Sequence, residues 1–196
     1  MARVRTFIAV EISEEIRKNA VALQQRLAKA DVGVRWATPE TIHVTLLFLG
    51  EVDDREVVDV CRAVQEVASR EPPFPMRVSG VGAFPNTRRP KTIWAGITDG
   101  AEQLQRLYGL IEAKLLDLGC YRKEERAYTP HLTLGRVKAE GSGHALAAEL
   151  PRLMAWDGGQ TVVDEVVVFA SELTRDGPVY TALGRGELTG KPATGS

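Results

Sequence analysis

"TIHVTLLFLGEV" occupies residues 41–52, and "YTPHLTLGRVK" occupies residues 128–138. Each contains the unit His-apolar-Thr-Leu: His43-Val44-Thr45-Leu46 in the first, His131-Leu132-Thr133-Leu134 in the second. The chain has three histidines in 196 residues, so two of the three stand in the same frame. Both segments are rich in β-branched and apolar residues and read as strands. Side chains two apart on a strand share a face. His43 and Thr45 therefore face one way, with Val44, Leu46 and Phe48 opposite. His131 and Thr133 likewise face one way, with Leu132 and Leu134 opposite. Each strand offers an imidazole and a hydroxyl to a cleft and aliphatic groups to a core.

Working outward, "RTFIAVEI" (5–12) alternates and reads as a strand. Ser13 is an N-cap candidate, with Glu14 and Glu15 in a first helical turn and Ile16, Ala20, Leu23 and Leu27 at helical spacing. Asp53 or Asp54 opens a second helix with Val57, Cys61, Val64 and Ala68 on one face, and "PPFP" at 72–75 breaks it. Residues 76–84 and 92–97 read as strands joined by the basic turn "PNTRRPK". A third helix carries Leu104, Leu107, Ile111, Leu115 and Leu118 and stops at Gly119. "RKEER" (122–126) and "AEGSG" (139–143) read as loops, and 144–156 as a short helix that Pro151 bends. "TVVDEVVVFASEL" and "PVYTALGRGEL" read as a closing hairpin across "TRDG". Each His-x-Thr strand has a helix before and after it, which points to a duplicated α/β unit. The second motif begins 88 residues after the first (131 against 43). The expected domain is 1–185, with 186–196 a disordered tail.

A length of 196 residues suffices for one domain with a sizeable core. The net charge of −1 argues against a protein that coats nucleic acid with a broad positive field, while leaving room for a local basic pocket. No apolar run approaches the roughly 20 residues of a membrane span, so no membrane partner is expected. The N-terminal apolar stretch is short and is followed by Glu11, Glu14 and Glu15, unlike a signal peptide. Cys61 and Cys120 lie far apart without metal spacing and read as reduced thiols in a cytoplasmic protein.

Two imidazoles facing one space can share acid–base work: one neutral and taking a proton, the other protonated and giving one. Threonine hydroxyls beside them can donate to an anionic oxygen whose charge grows in the transition state. A single histidine beside an apolar strand is more often structural. The repetition shifts the balance. Fourteen of the 196 residues are Thr, so two of three histidines with Thr two places on has a chance of roughly 0.015. A metal site finds little support, because no His-x-His, His-Glu-x-x-His or Cys-x-x-Cys spacing occurs. No G-x-S-x-G elbow points to a serine triad. His144 follows "GSG", has no Thr partner and reads as a surface or capping residue.

With these motifs the sequence resembles the two-histidine phosphoesterase superfamily, and more narrowly the RNA 2′,3′-cyclic phosphodiesterase family, long called 2′-5′ RNA ligases. "RTFIAVEI", "WATPETIHVTLLFLGEV", "GVGAFPNTRRPKTIWAGI" and "YTPHLTLGRVK" carry the resemblance, which runs from about residue 4 to 185. It implies an α+β fold of two similar lobes related by a pseudo-two-fold axis. Each lobe would be a mainly antiparallel sheet with helices on its outer face, and the active-site cleft would lie between them. It also implies opening of a terminal 2′,3′-cyclic phosphate on RNA to a 2′-phosphate, with His43 as proton donor, His131 as proton acceptor, and Thr45 and Thr133 on the phosphate. No cofactor and no metal follow from this scheme. The implied partner is RNA, or a nucleotide with a 2′,3′-cyclic phosphate end, bound by a monomer. A related phosphoesterase or 2′-5′ ligase acting on other nucleotides, and a non-catalytic RNA-binding module, remain the alternatives.

Other residues carry weaker signals. Arg136 can reach the phosphate, but strict alternation puts it opposite His131 unless Gly135 permits a bulge. Arg88, Arg89 and Lys91 can guide an RNA backbone, although such clusters are more often simply solvated. Trp36, Phe48 and Tyr128 can stack on a base, with burial the expected role for Phe48 on the core face.

Overall fold

The computed structural model describes residues 3–30, 33–121, 123, 127–138, 144–175 and 177–192. β1 (Arg3–Val10) leads into α1 (Glu14–Ala28), where the Ser13 side chain caps the helix by accepting from the Ile16 amide. Ile16, Ala20, Leu23 and Leu27 form its buried stripe, as their spacing predicts. β2 (Val34–Trp36) precedes β3 (Val44–Asp53), and the Asp53 side chain caps α2 (Asp54–Ala68). β4 (Phe74–Phe84) and β5 (Thr92–Ile97) follow, then α3 (Ala101–Asp117) and β6 (His131–Val137). Gly119 adopts φ +72° just past α3, the left-handed conformation that closes a helix. α4 (His144–Glu149), β7 (Asp157–Val163), β8 (Glu165–Thr174) and β9 (Gly177–Glu187) complete the chain.

The strands form one antiparallel sheet in the order β7-β4-β5-β6-β3-β1-β8-β9, with β2 added alongside β6. It divides into two four-stranded halves, β3-β1-β8-β9 and β6-β5-β4-β7, which meet at the β3–β6 seam. The halves match strand for strand outward from that seam, as a pseudo-two-fold requires. The helices exchange partners across it. α1, which follows β1, packs on β6 and β7, whereas α3, which follows β5, packs on β3 and α2. A single hydrophobic cluster runs through both halves, from Ile8 and Ile16 to Leu132 and Leu153.

Four expectations change. The run 161–173 is not one strand: β7 ends at Val163 beside β4, and β8 starts at Glu165 between β1 and β9. Strand propensity gives no signal of which neighbour a run will pair with. β2 was not evident in the sequence because three residues are too few to show an alternation. The helix expected over 144–156 stops at Glu149 and tightens into a 3-10 turn over Leu150–Leu153, where Pro151 lacks an amide to donate. The tail expected from 186 is packed as far as Gly190. Leu188 is buried with its amide on the Asp164 carbonyl at 2.7 Å, and the Gly190 amide reaches the Glu71 carbonyl at 3.0 Å. The loop read at 139–143, most of the loop at 122–126, and residues 193–196 lie outside the described residues.

Candidate active site

The two motif strands carry the same irregularity at the same place. Along β3, Ala9 pairs with Thr45 and Ile8 with Leu47, so Leu46 is an extra residue. Along β6, Trp94 pairs with Thr133 and Ile93 with Gly135, so Leu134 is an extra residue. Both are the fourth position of the motif. A bulge inverts the alternation beyond it. Phe48 and Arg136, each five residues past a motif histidine, are thereby turned onto the cleft face. This corrects the expectation for Phe48 and supplies the bulge on which the expectation for Arg136 depended. Phe48 is 55% exposed rather than in the core. Arg136 lines the same cleft as His131 rather than the opposite face. Gly135 itself is fixed by packing, since a Cβ there would stand 2.8 Å from the Trp36 ring and from the Val34 side chain.

β3 and β6 touch through one register pair, Val44↔Leu132, and both of these side chains are fully buried. Extending that antiparallel register by one residue each way sets His43 beside Thr133 and Thr45 beside His131. The four polar residues form a square on the face opposite the core. The two imidazoles occupy its diagonal, a relation that separates Cα atoms by about 7–8 Å. A cleft of about 250 Å³ opens over this face, lined among others by Thr45, Phe48, Tyr128, His131, Thr133 and Arg136. His43 joins it through Thr45, its Nε2 lying 3.0 Å from Thr45 Oγ1.

The two rings are held alike and sit in different surroundings. His131 Nδ1 lies 2.7 Å from the Thr129 carbonyl, which accepts its proton and leaves Nε2 as the basic nitrogen. Thr41, also two residues upstream, gives His43 the matching backbone hydrogen bond. His43 is stacked on Phe7 at 4.9 Å and met edge-on by Tyr180 at 5.4 Å. His131 is met edge-on by Phe84 at 5.1 Å. Burial among its aromatic neighbours drives the His43 pKa from 6.5 down to about 4, against the upward pull of the Thr41 hydrogen bond.

That shift has a consequence for stability. A histidine with a depressed folded pKa takes up its proton more readily when unfolded. Its contribution is fully present above about pH 6.5 and is lost as pH falls towards 4, on the order of 3 kcal/mol at the limit. His43→Gln is expected to flatten the dependence of Tm on pH between 6.5 and 5, above most carboxylate titrations. An unchanged slope in that window would show that His43 protonates in the fold without penalty.

The remaining candidates separate clearly. Tyr128 donates its hydroxyl to the Thr45 carbonyl at 3.0 Å and stacks on Tyr108 at 4.5 Å, so it ties the loop before β6 to β3. Trp36 packs on the core cluster and on Gly135 rather than lining the cleft. Of the three aromatic residues singled out in the sequence, Phe48 is the one with a largely exposed ring. Arg88 and Arg89 sit in an exposed turn organised by Asn86 Oδ1, which accepts from both of their amides. His144 begins α4. Among the described residues, no three His, Cys, Asp or Glu side chains converge to hold a metal. Phe7 and Tyr180, which enclose His43, were not singled out by the sequence as site residues because they lie on strands other than the two His-x-Thr strands.

Comparison with known proteins finds the two motifs in a repeat along the chain. The family model described as "LigT like Phosphoesterase" fits the chain twice, over residues 10–94 and 96–180, with one His-x-Thr strand in each. The chain belongs to the LigT-like phosphoesterase family. Among its relatives, the RNA 2′,3′-cyclic phosphodiesterase of Methanothermobacter thermautotrophicus is 34% identical over 91% of this chain and 96% of its own. That of Archaeoglobus fulgidus is also 34% identical, over 92% of this chain and 98% of its own. Among solved structures, TT0787 of Thermus thermophilus superposes with a TM-score of 0.82 at 31% identity, covering 96% of this chain and all of that one. Apo E. coli LigT shares the fold of this LigT-like chain with a TM-score of 0.75 at 24% identity, over 96% of this chain and 99% of its own.

Proposed function

We propose that the protein hydrolyses the terminal 2′,3′-cyclic phosphate of RNA to a 2′-phosphate by two-histidine acid–base catalysis. The observation that carries this reading is the diagonal pair of imidazoles on one face of the β3–β6 seam, each with a threonine beside it, where a cleft opens over Thr45, His131 and Thr133. The relatives named RNA 2′,3′-cyclic phosphodiesterase support it. The Thr129 carbonyl holds the proton on His131 Nδ1, so Nε2 is free of that proton and takes one from water. The water oxygen bonds to phosphorus as the bond from phosphorus to the ribose 3′ oxygen breaks in line. His43 delivers its proton to that departing oxygen. Thr45 and Thr133 donate to the non-bridging oxygens, and Arg136 adds a fixed positive charge on the cleft face. Phe48 offers an exposed ring for the terminal base. Each proton transfer supplies on the order of 10²–10⁴ in rate. One chain furnishes every group, so a monomer suffices. The free thiols Cys61 and Cys120 suit a cytoplasmic setting.

The direct test compares turnover of a 2′,3′-cyclic nucleotide with that of its 3′,5′-cyclic isomer. The first is opened and the second is not, because only the five-membered ring presents the 3′ oxygen as a strained leaving group. Equal turnover of both would point to a broader cyclic phosphoesterase. Activity is also expected to persist in excess EDTA, since among the described residues no carboxylate or thiol completes a ligand set with the two histidines. Loss on chelation, with recovery on adding a divalent ion, would replace this mechanism with a metal-assisted one.

A further inference from the structure

We infer that Tyr128 is a positioning residue for His131: braced from α3 by Tyr108 and Glu112, it fixes the Thr129 carbonyl and so keeps the imidazole in the tautomer that accepts a proton at Nε2. This rests on the phosphodiesterase reading above. One register pair, Val44↔Leu132, joins the two motif strands, although the chemistry needs both histidines held over one phosphate. Tyr128 supplies a second tie. Its hydroxyl donates to the carbonyl of Thr45, in the other motif, at 3.0 Å. The residue that follows it, Thr129, offers the carbonyl that accepts from His131 Nδ1 at 2.7 Å. The residue pinned to motif one and the residue that sets the tautomer of motif two are thus neighbours on the chain. Little freedom remains between them and His131. Pro130 is buried, locks its own φ and confines Thr129 to extended backbone.

The two histidines differ in how their carbonyls are held. Thr41, which serves His43, ends the 3-10 turn Pro39–Thr41, where its own amide and hydroxyl both donate to the Thr38 carbonyl at 2.9 Å. Residues 127–130 form no helix, turn or strand, so Thr129 depends on the tie beside it. That tie is braced from behind. The Tyr108 and Tyr128 rings stack with centroids 4.5 Å apart and planes 5° apart. Tyr108, on α3, donates its hydroxyl to Glu112 Oε1 at 2.7 Å, one helical turn on. Glu112 is a buried acid, a costly group unless partnered, and Lys123 Nζ lies 3.9 Å from its other oxygen. Glu112 fixes the Tyr108 ring, and the Tyr108 ring fixes that of Tyr128. Burial raises the pKa of both phenols, so each stays protonated and donates. α3 itself packs on β3, so the brace and motif one belong to one packed unit.

The experiment is Tyr128→Phe, which removes the hydroxyl and keeps the stack. Nitrogen NMR of histidine-labelled protein without substrate, with the rings neutral, reads the tautomer of each of the three histidines, and His131→Gln identifies the signals of His131. In wild type His131 is expected to carry its proton on Nδ1 alone. In Tyr128→Phe its signals move towards a mixture of both tautomers, because a loosened Thr129 carbonyl no longer selects one. The signals of His43 stay as in wild type. With a 2′,3′-cyclic nucleotide, kcat falls at least about 10-fold while KM stays within about 2-fold, as for a misplaced base that binds nothing. Tyr108→Phe cuts the brace one step further back and shifts both readouts the same way by less. If Tyr128→Phe does not fold, Tyr108→Phe decides by itself. A fall in Tm with an unchanged His131 tautomer and kcat makes the tyrosine merely structural and overturns the inference. So do equal changes at both histidines, which mean a general loosening, and an unchanged His131 in Tyr108→Phe, which removes the brace. A raised KM with the tautomer unchanged would make Tyr128 a substrate contact and overturn it too. If wild type opens no cyclic phosphate, the phosphodiesterase reading fails by itself. The tautomer comparison needs no substrate and still decides the role of Tyr128.

Discussion

His43→Ala and His131→Ala are each expected to slow opening of a 2′,3′-cyclic phosphate by at least about 10²-fold. Each change deletes one of the two proposed proton carriers on the diagonal of the square and leaves the side chains of Thr45, Thr133 and Arg136 in place. The effect should fall on kcat more than on KM, because proton transfer is an interaction of the transition state. His131 is only partly buried, so its truncation leaves the fold intact. His43 is packed against Phe7 and Tyr180, and alanine leaves a gap there. His43→Gln fills more of that space and supplies the comparison if the alanine variant loses stability. The double variant should be little slower than the worse single one, since acid and base act on one event. Thr45→Val and Thr133→Val should be milder, each removing one hydrogen bond to the phosphate. Near-wild-type turnover in either histidine variant would take that residue out of the chemistry.

That each motif turns its His and its Thr to one face was legible in the sequence, because a strand has a period of two and four residues of motif are enough to show it; that the two strands lie side by side in this register was not. What lay beyond the motifs was not legible either. Leu46 and Leu134 look like ordinary apolar strand residues, yet each is the extra residue of a bulge. A one-residue insertion inverts every assignment past it. Strict alternation therefore places Phe48 in the core and brings Arg136 to the cleft only if a bulge intervenes. Gly135 hinted at irregularity, but its own constraint is the Trp36 ring lying against it. The helices show a similar limit. The stripe of α1 announces that a face is buried, and nothing in its periodicity says that β6 and β7 of the other half bury it.

The product of the reaction is expected to carry a 2′-phosphate, and the pH profiles should reveal which histidine gives the proton. Burial holds His43 neutral at neutral pH, with a pKa of about 4. A general acid must be protonated, so a group with that pKa works poorly at neutral pH unless the substrate changes it. The cyclic phosphate is an anion, and an opposite charge within a few ångströms favours the imidazolium. The profile of kcat/KM reports the free enzyme and the profile of kcat the complex. Both should be bell-shaped, with limbs that belong to the coupled pair. One limb should lie near 4 in kcat/KM and move upward in kcat. If that limb stays near 4 in both, substrate does not recharge His43, and it cannot be the acid at neutral pH. The bond that breaks gives an independent check. In-line displacement requires the entering water and the departing oxygen to lie on opposite sides of phosphorus, so the two histidines must flank it. With His131 on the water and His43 on the 3′ oxygen, phosphorus NMR of the product from a 2′,3′-cyclic nucleotide should show the 2′ isomer alone. A 3′-phosphate would mean that the ribose lies reversed in the cleft or that the two histidines exchange roles, even if both prove essential.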